Sequence, residues 1–566
     1  MSLVPPITAV LAILAITPGL LFHFDVTPKV TILLLGVAVV LIPAARPRSR
    51  WVTILLAAQF ASLAFSTIFS TDPALSIGGT NWRRMGLISH GALLLFALIA
   101  AARPQSLQLL SVAGIAVALY GCAQYAGWDP ILPSAGYHVG EDWWKIVRPP
   151  STLGHAAYAA TFYLHATFVG LALAASSTGL WRRIGFTTAA ICSVAIVLSG
   201  TRAAMLGWCV GFALLFFALR PKLRAAHFGL AAVVVAMGAM FYFSPYGLKL
   251  RSRTRWYTED SRGGARLWLW RDSARMGAER WLTGWGPEVF PAEFPRHQSE
   301  ELSRAYPDFY HESPHNVLLE AWTAQGLPGL AVIIALAVFA LRGIRRSPFL
   351  SSGVAAALIA QQFTSFTVAT ALCFYWNLAM IDDGAEPAQP RLPIYATVPV
   401  AALLVWYAVS LTIADRLQLS TSRLLAARQI PEAIETYDSA RAWQPPGRNT
   451  DLWFSRALLN AAKGSSPPAE AAAIRASLHA EDRANAAYSL AALQSTMGDA
   501  GKVEASLRLA VRTAPNWYKP HWALAKLLML SGRRPEAETE IERAVALGGT
   551  VHPEVEQTRL EIRSKR

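Results

Sequence analysis

The sequence predicts an all-α chain in two parts: a polytopic membrane bundle of about 12 transmembrane helices with a large external loop, followed by a soluble α-solenoid. Three observations carry this. Of 566 residues, 54% are hydrophobic and only 15% charged, too apolar a balance for a soluble protein of this size. Apolar stretches near the ~20 residues needed to cross a bilayer recur as far as about Asp415. Beyond that point Ala, Leu, Arg and Glu alternate with amphipathic helical periodicity.

In order, spans are expected to begin around Ile7, Val30, Val52, Met85, Leu107, Ala156, Phe186, Ala203, Ala225, Val317, Leu350 and Leu392. The first lacks a charged n-region and others come after it, so it reads as a retained span and not a cleaved signal. Basic clusters at Arg46, Arg48 and Arg50, at Arg103, at Arg182 and Arg183, at Arg220, Lys222 and Arg224, and at Arg342, Arg345 and Arg346 fall on one side. The positive-inside rule makes that side cytoplasmic. The opposite, external side then receives Asp72 to Arg84, Gly127 to Leu153, Ser199 to Arg202, a long polar segment from about Ser252 to Asn316, and Asp382 to Arg391. Arg83, Arg84 and the run from Lys249 to Arg255 break the rule locally, and basic residues kept on the disfavoured side have the stronger claim to function.

The membrane part is assigned to residues 1–415, with its loop at about 246–315, and the soluble part to 416–566. In the latter, Tyr488, Leu490, Ala491, Gly498 and Ala510 return as Trp522, Leu524, Ala525, Gly532 and Ala544, an offset of about 34 residues that is the tetratricopeptide period. Such helix pairs bury their apolar faces by stacking and offer a concave surface to a protein partner. An even number of spans puts them in the cytoplasm; one miscounted span moves them to the other side.

The net charge of +15 sits in short clusters between spans, where it sets topology, so nucleic acid is not expected as a partner. Cys122, Cys192, Cys209 and Cys373 lie in or beside apolar stretches without close spacing, which points to small buried hydrophobes and not to zinc or disulfides. Gly284-Trp285-Gly286 lacks the strand and third glycine of a dinucleotide fingerprint and reads as a tight turn. Asp382 and Asp383 read as a solvated loop, and no metal or other cofactor is expected.

Charged groups concentrated at a membrane edge are costly and mark a functional site by default. His315 follows Pro314 at the start of an apolar helix, where its near-neutral pKa suits it to take a hydroxyl proton. Arg202, in a turn between two spans, and Arg266, in an amphipathic basic-aromatic stretch that also contains Arg262, carry planar cations matched to phosphate oxygens. Arg83, Arg84 and Arg148 could line a route for an anionic lipid; His311 and Asn316 are polar neighbours of His315.

The order of these pieces resembles the O-antigen ligase and O-antigen polymerase superfamily of bacterial envelope glycosyltransferases. The matching stretches are Gly200-Thr201-Arg202, Arg266-Leu267-Trp268, Gly284-Trp285-Gly286-Pro287 with Phe290, and His315-Asn316 followed by Glu320 and by Gln325 to Gly329; Asp72, Pro73, Ser76, Gly79 and Arg83 or Arg84 are similar too. The resemblance implies that Arg202 and Arg266 bind the diphosphate of an undecaprenyl-linked glycan donor and that His315 activates an acceptor hydroxyl. It further implies inverting, metal-independent transfer at the periplasmic face of the bacterial inner membrane. Three acceptors stay open: lipid A core sugar, another glycan and a protein hydroxyl. A lipid-linked glycan transporter or flippase and a membrane-anchored scaffold stay open as well. The tetratricopeptide-like tail departs from simple ligases.

Overall fold

The computed structural model describes residues 3–41, 49–100, 105–132, 138–139, 146–220, 225–248, 250–251, 264–308, 310–381, 394–462, 464 and 466–564. Apart from a two-residue antiparallel pair, His138–Val139 with Ile146–Val147, the described elements are helices and turns. Seven described helices are long and apolar enough to cross a membrane: Arg50–Ile68, Ser106–Ala126, Ala156–Ser176, Gly179–Leu198, Arg202–Leu219, Val317–Arg345 and Tyr395–Ala426. Five shorter apolar helices pack with them: Val4–Leu14, Thr27–Leu41, Leu87–Ala100, Pro348–Ala360 and Val368–Ala379. The chain is a multi-pass membrane protein.

Ala156–Ser176 is the innermost of the long helices, flanked by Gly179–Leu198, Pro348–Ala360 and Ser106–Ala126. Small residues permit the approach, because helices in a lipid solvent gain little from apolar burial and associate through close backbone packing. A Cβ on Gly170 would meet the Gly185 carbonyl at 2.6 Å, and one on Gly207 would strike the Ala356 carbonyl.

Contacts define two ends of the bundle. At one, Thr152 donates to the Ile13 carbonyl at 3.0 Å, Lys29 to the Ala15 carbonyl at 2.6 Å and Tyr125 to the Tyr246 carbonyl at 3.2 Å; segments 70–84 and 264–316 are joined there, and we call it the loop end. At the other, Ser106 donates to the Ala100 carbonyl and Gly343 abuts Ile381.

The span expected from Leu350 is two helices. Pro348–Ala360 runs from the Gly343 end to Gln361, whose carbonyl accepts the Val317 N–H at 2.9 Å at the loop end. Val368–Ala379 then returns, leaving Ile381 against Gly343. Polar Gln361, Gln362, Thr364 and Ser365 interrupt the apolar run, and Thr367 with Thr370 forms a capping box that restarts the helix.

The chain thus runs to the loop end and back between Gly343 and Ile381. Asp382 to Arg391, expected on the side of the loop, lie outside the described residues. The C-terminal helices, expected on the far side of the membrane from the loop, instead dock on it. Arg483 pairs with Asp72 and lies 3.7 Å from Glu293; Arg543 meets Glu300 at 2.6 Å; Lys519 and His552 meet Asp308 at 2.7 and 2.6 Å. The Asn81 N–H donates to Glu481 at 2.7 Å.

The link is one continuous helix, Ile394–Ala426, which leaves the bundle at the loop end. There Asp415 and Arg448, both with fully buried side chains, pair at 2.8 Å, and Asp415 also holds His23 at 2.8 Å. Eight further helices come next, from Ile430–Ala442 to Pro553–Ser564, stacked in sequence order. The pair Arg483–Ser495 and Ala500–Thr513 is succeeded at the predicted spacing by Tyr518–Leu530 and Arg534–Ala546. Each pair closes on small and apolar residues, as where Ala491, Leu507, Leu524 and Ile541 share a core.

In a background without native cysteines, a membrane-impermeant maleimide should reach cysteines placed by Glu301→Cys and Met497→Cys from the same side, and Arg346→Cys only from the other. Labelling of the first two from opposite sides would contradict the docking.

Candidate functional site

Gly200, at φ 62°, ends the preceding helix, and the Ser199 hydroxyl accepts the Thr201 N–H at 3.2 Å, so the next helix begins at Arg202. Arg266 likewise opens Arg266–Glu279. His315 lies two residues before Val317–Arg342, at φ 50°, and Asn316 caps that helix by accepting the Leu318 and Leu319 N–H groups at 3.0 and 3.1 Å. All three candidates thus stand at helix N-termini, where unpaired N–H groups supply partial positive charge.

The loop is fastened so that His315 has a fixed place. The Trp270 indole donates to the Pro314 carbonyl at 3.1 Å, and the Trp322 indole to the Ala274 carbonyl at 3.1 Å, clamping Arg266–Glu279 onto Val317–Arg342. The latter helix is broken at Gly326, φ 65°. The Trp285 and Gly286 N–H groups donate to the Thr323 and Ala324 carbonyls at 2.9 and 3.0 Å. Gly284-Trp285-Gly286 is therefore a tight turn that satisfies a break in a membrane helix, which requires such partners in lipid.

Electrostatics join residues that the sequence separates. Burial lowers the Arg148 pKa, and the charges of Arg266 and Arg202 lower it further, so three guanidinium groups share one field. Burial also lowers the pKa of His315; Arg266 and Arg83 add to the effect, while Glu312 opposes it. The imidazole is hydrogen-bonded at Nδ1, 3.2 Å from the Ser313 hydroxyl, which is itself 2.5 Å from that of Ser365, and its Nε2 lies 3.6 Å from Glu312. An imidazole between a carboxylate and two guanidinium groups, with its pKa lowered, has the chemistry of a general base.

The other candidates separate. His311 is buried behind His315 against Phe294, and burial pushes its pKa down to about 4. Asn316 is occupied as a helix cap. Arg84 is buried and turned back on its own turn, donating to Gly79 at 3.3 Å and Asn81 at 2.5 Å. Arg262 lies outside the described residues.

Arg83, its neighbour, points inward between Glu288 and Glu320, each at 2.5 Å. Its Nη1 has no hydrogen bond among the described residues, and it lines a small cavity with Gln59, His90 and Tyr375. Nothing in two adjacent arginines says which turns inward. Glu312 was missed as a site residue, although its place three residues before His315 was a usable signal; Glu288 carried none.

A family model described as O-antigen ligase matches residues 187–334. That stretch contains Arg202, Arg266 and His315, and the match supports the O-antigen ligase superfamily of membrane glycosyltransferases for this chain. Comparison with curated proteins returned no match.

Carbethoxylation requires neutral imidazole, so its pH midpoint at His315, followed by peptide mass, should fall below the ordinary histidine value of about 6.5. Glu312→Gln removes the carboxylate that opposes the shift and should move the midpoint lower still. An unmoved or higher midpoint would contradict the electrostatic arrangement.

Proposed function

We propose that the chain is an inverting, metal-independent glycosyltransferase that moves a glycan from undecaprenyl diphosphate to an acceptor hydroxyl at the periplasmic face of the bacterial inner membrane. The observation that carries this reading is the shared field of Arg148, Arg202 and Arg266 beside the held imidazole of His315. The acceptor hydroxyl attacks the anomeric carbon from the face opposite the diphosphate. Its proton passes to His315 Nε2 or Nδ1, the carbon–oxygen bond to the diphosphate breaks, and the leaving group departs with the bonding pair. Fixed guanidinium groups stabilise the negative charge that develops there without having to reorganise.

Lipid A core sugar, a second glycan and a protein hydroxyl remain the candidate acceptors. A transporter accounts less well for these groups, because many transporters bind substrate near the bilayer midplane and here the polar cluster gathers at one end of the bundle. The C-terminal helices are read as tetratricopeptide-like, and on this assignment they share the periplasmic side with the site.

With purified protein, a lipid-linked donor and these three acceptors, His315→Ala should abolish transfer while the protein still folds and inserts. Arg202→Ala and Arg266→Ala should each lower kcat by about 10²–10³-fold, the usual loss when one charge-stabilising donor is removed. Full transfer by a folded His315→Ala protein would sink the assignment.

A further inference from the structure

Between the loop and the C-terminal helices lies an open cleft. The loop lines one wall with Tyr310, Gln298 and His311, and the C-terminal helices line the other with Trp517, Asn485 and Asp482. We propose that this cleft is a saccharide-binding subsite that seats the acceptor glycan and leads its terminal hydroxyl to His315, so that the C-terminal helices form half of a substrate site.

The lining fits a sugar. Pyranose rings present C–H faces that rest on aromatic rings, and hydroxyls that both donate and accept, which amides and carboxylates satisfy together. Trp517 is set edge-on against Tyr488 with ring centroids 5.2 Å apart, and Tyr310 is 39% exposed. Neither the Tyr310 hydroxyl nor the Asn485 amide nitrogen has a hydrogen bond among the described residues, whereas Asn485 Oδ1 is fixed by Arg456 at 2.7 Å.

Charge argues against a phosphate ligand. The cleft's Lys519 is taken up by Asp308 at 2.7 Å, and Asp482 adds a further carboxylate. Anions belong with the arginines, and a neutral polyol with this wall.

The cleft also adjoins the segment that carries the base. Tyr310 and His311 line it, and they stand five and four residues before His315, whose Nε2 lies 3.6 Å from Glu312.

The acceptor role rests on the proposed glycosyl transfer, whereas saccharide binding does not, and the experiment separates them. Lipid-free oligosaccharides released from the host's envelope glycan are titrated calorimetrically into the full-length protein, with inorganic pyrophosphate as the anion control. Trp517→Ala should weaken oligosaccharide binding about tenfold or more, as expected for loss of a central aromatic anchor, and leave pyrophosphate binding unchanged. Asn485→Ala, which leaves the Tyr488–Trp517 contact intact, should weaken it several-fold and guards against a folding artefact. His315→Ala should bind oligosaccharide normally. In transfer assays the first two variants should raise KM for the acceptor and not for the donor. Unchanged affinity in both overturns the subsite; a raised donor KM instead overturns the acceptor assignment. Transfer surviving in His315→Ala would overturn the mechanism and leave the binding result standing.

Discussion

One buried cation organises the loop end. Arg83 reaches Glu288 and Glu320 at 2.5 Å each with only 4% of its side chain exposed. Taking ions out of water costs several kcal/mol per ion, and such an arrangement persists only when partners and geometry offset that cost. Burial opposes the charge on Arg83, yet the two carboxylates more than compensate and raise its pKa. The three residues come from separate segments: the 70–84 turn, the loop after Gly286, and the first turn of Val317–Arg342. Fixing them together fixes the start of that helix, and with it the position of His315. Thr80 reinforces the tie, its N–H and hydroxyl donating to Glu288 at 2.9 and 2.5 Å.

The tie positions a division of charge. Burial lowers the pKa of Arg148, and the charges of Arg266 and Arg202 add to the fall, so Arg148 lies within electrostatic reach of both. His315 lies near Arg266: burial lowers its pKa, Arg266 and Arg83 lower it further, and Glu312 restrains the shift. A base stripped of its proton by neighbouring cations is a weaker base. Glu312, 3.6 Å from Nε2, offsets that by stabilising the imidazolium once a proton arrives. The pairing of a base with a cation cluster thus calls for a third, acidic group, and the loop supplies one.

Much of this was legible because membranes impose simple rules. Hydrocarbon thickness fixes the length of apolar runs, and the polar stretch before Val317 and the short turn before Arg202 stood out against them, which is why His315, Arg266 and Arg202 could be singled out as candidates. Legibility failed where two short helices replaced one long run. Pro348–Ala360 and Val368–Ala379 have 13 and 12 residues, each below the ~20 of a full span, and their sum resembles one span with polar residues in its middle. The side of everything after them depended on that reading. Pairings of distant residues were equally hidden, since no local pattern joins Arg83 to Glu288, or Arg483 to Asp72.

The docking of the C-terminal helices owes more to connectivity than to contact strength. Most ion pairs across this interface are partly exposed, and such pairs contribute ~0–1 kcal/mol each. The firmer restraint is the unbroken helix Ile394–Ala426, whose Asp415 is fully enclosed and pairs with His23 and with the equally enclosed Arg448 from the turn between Ile430–Ala442 and Asp451–Ala462. Removing one member of a buried pair strands a charge, at a cost of about 3–5 kcal/mol. That junction holds the first helices of the stack on the bundle, and the weaker pairs need only select an orientation. Because Arg483, Lys519 and Arg543 all choose carboxylates of the loop or the 70–84 turn, the orientation selected is the one that encloses the cleft.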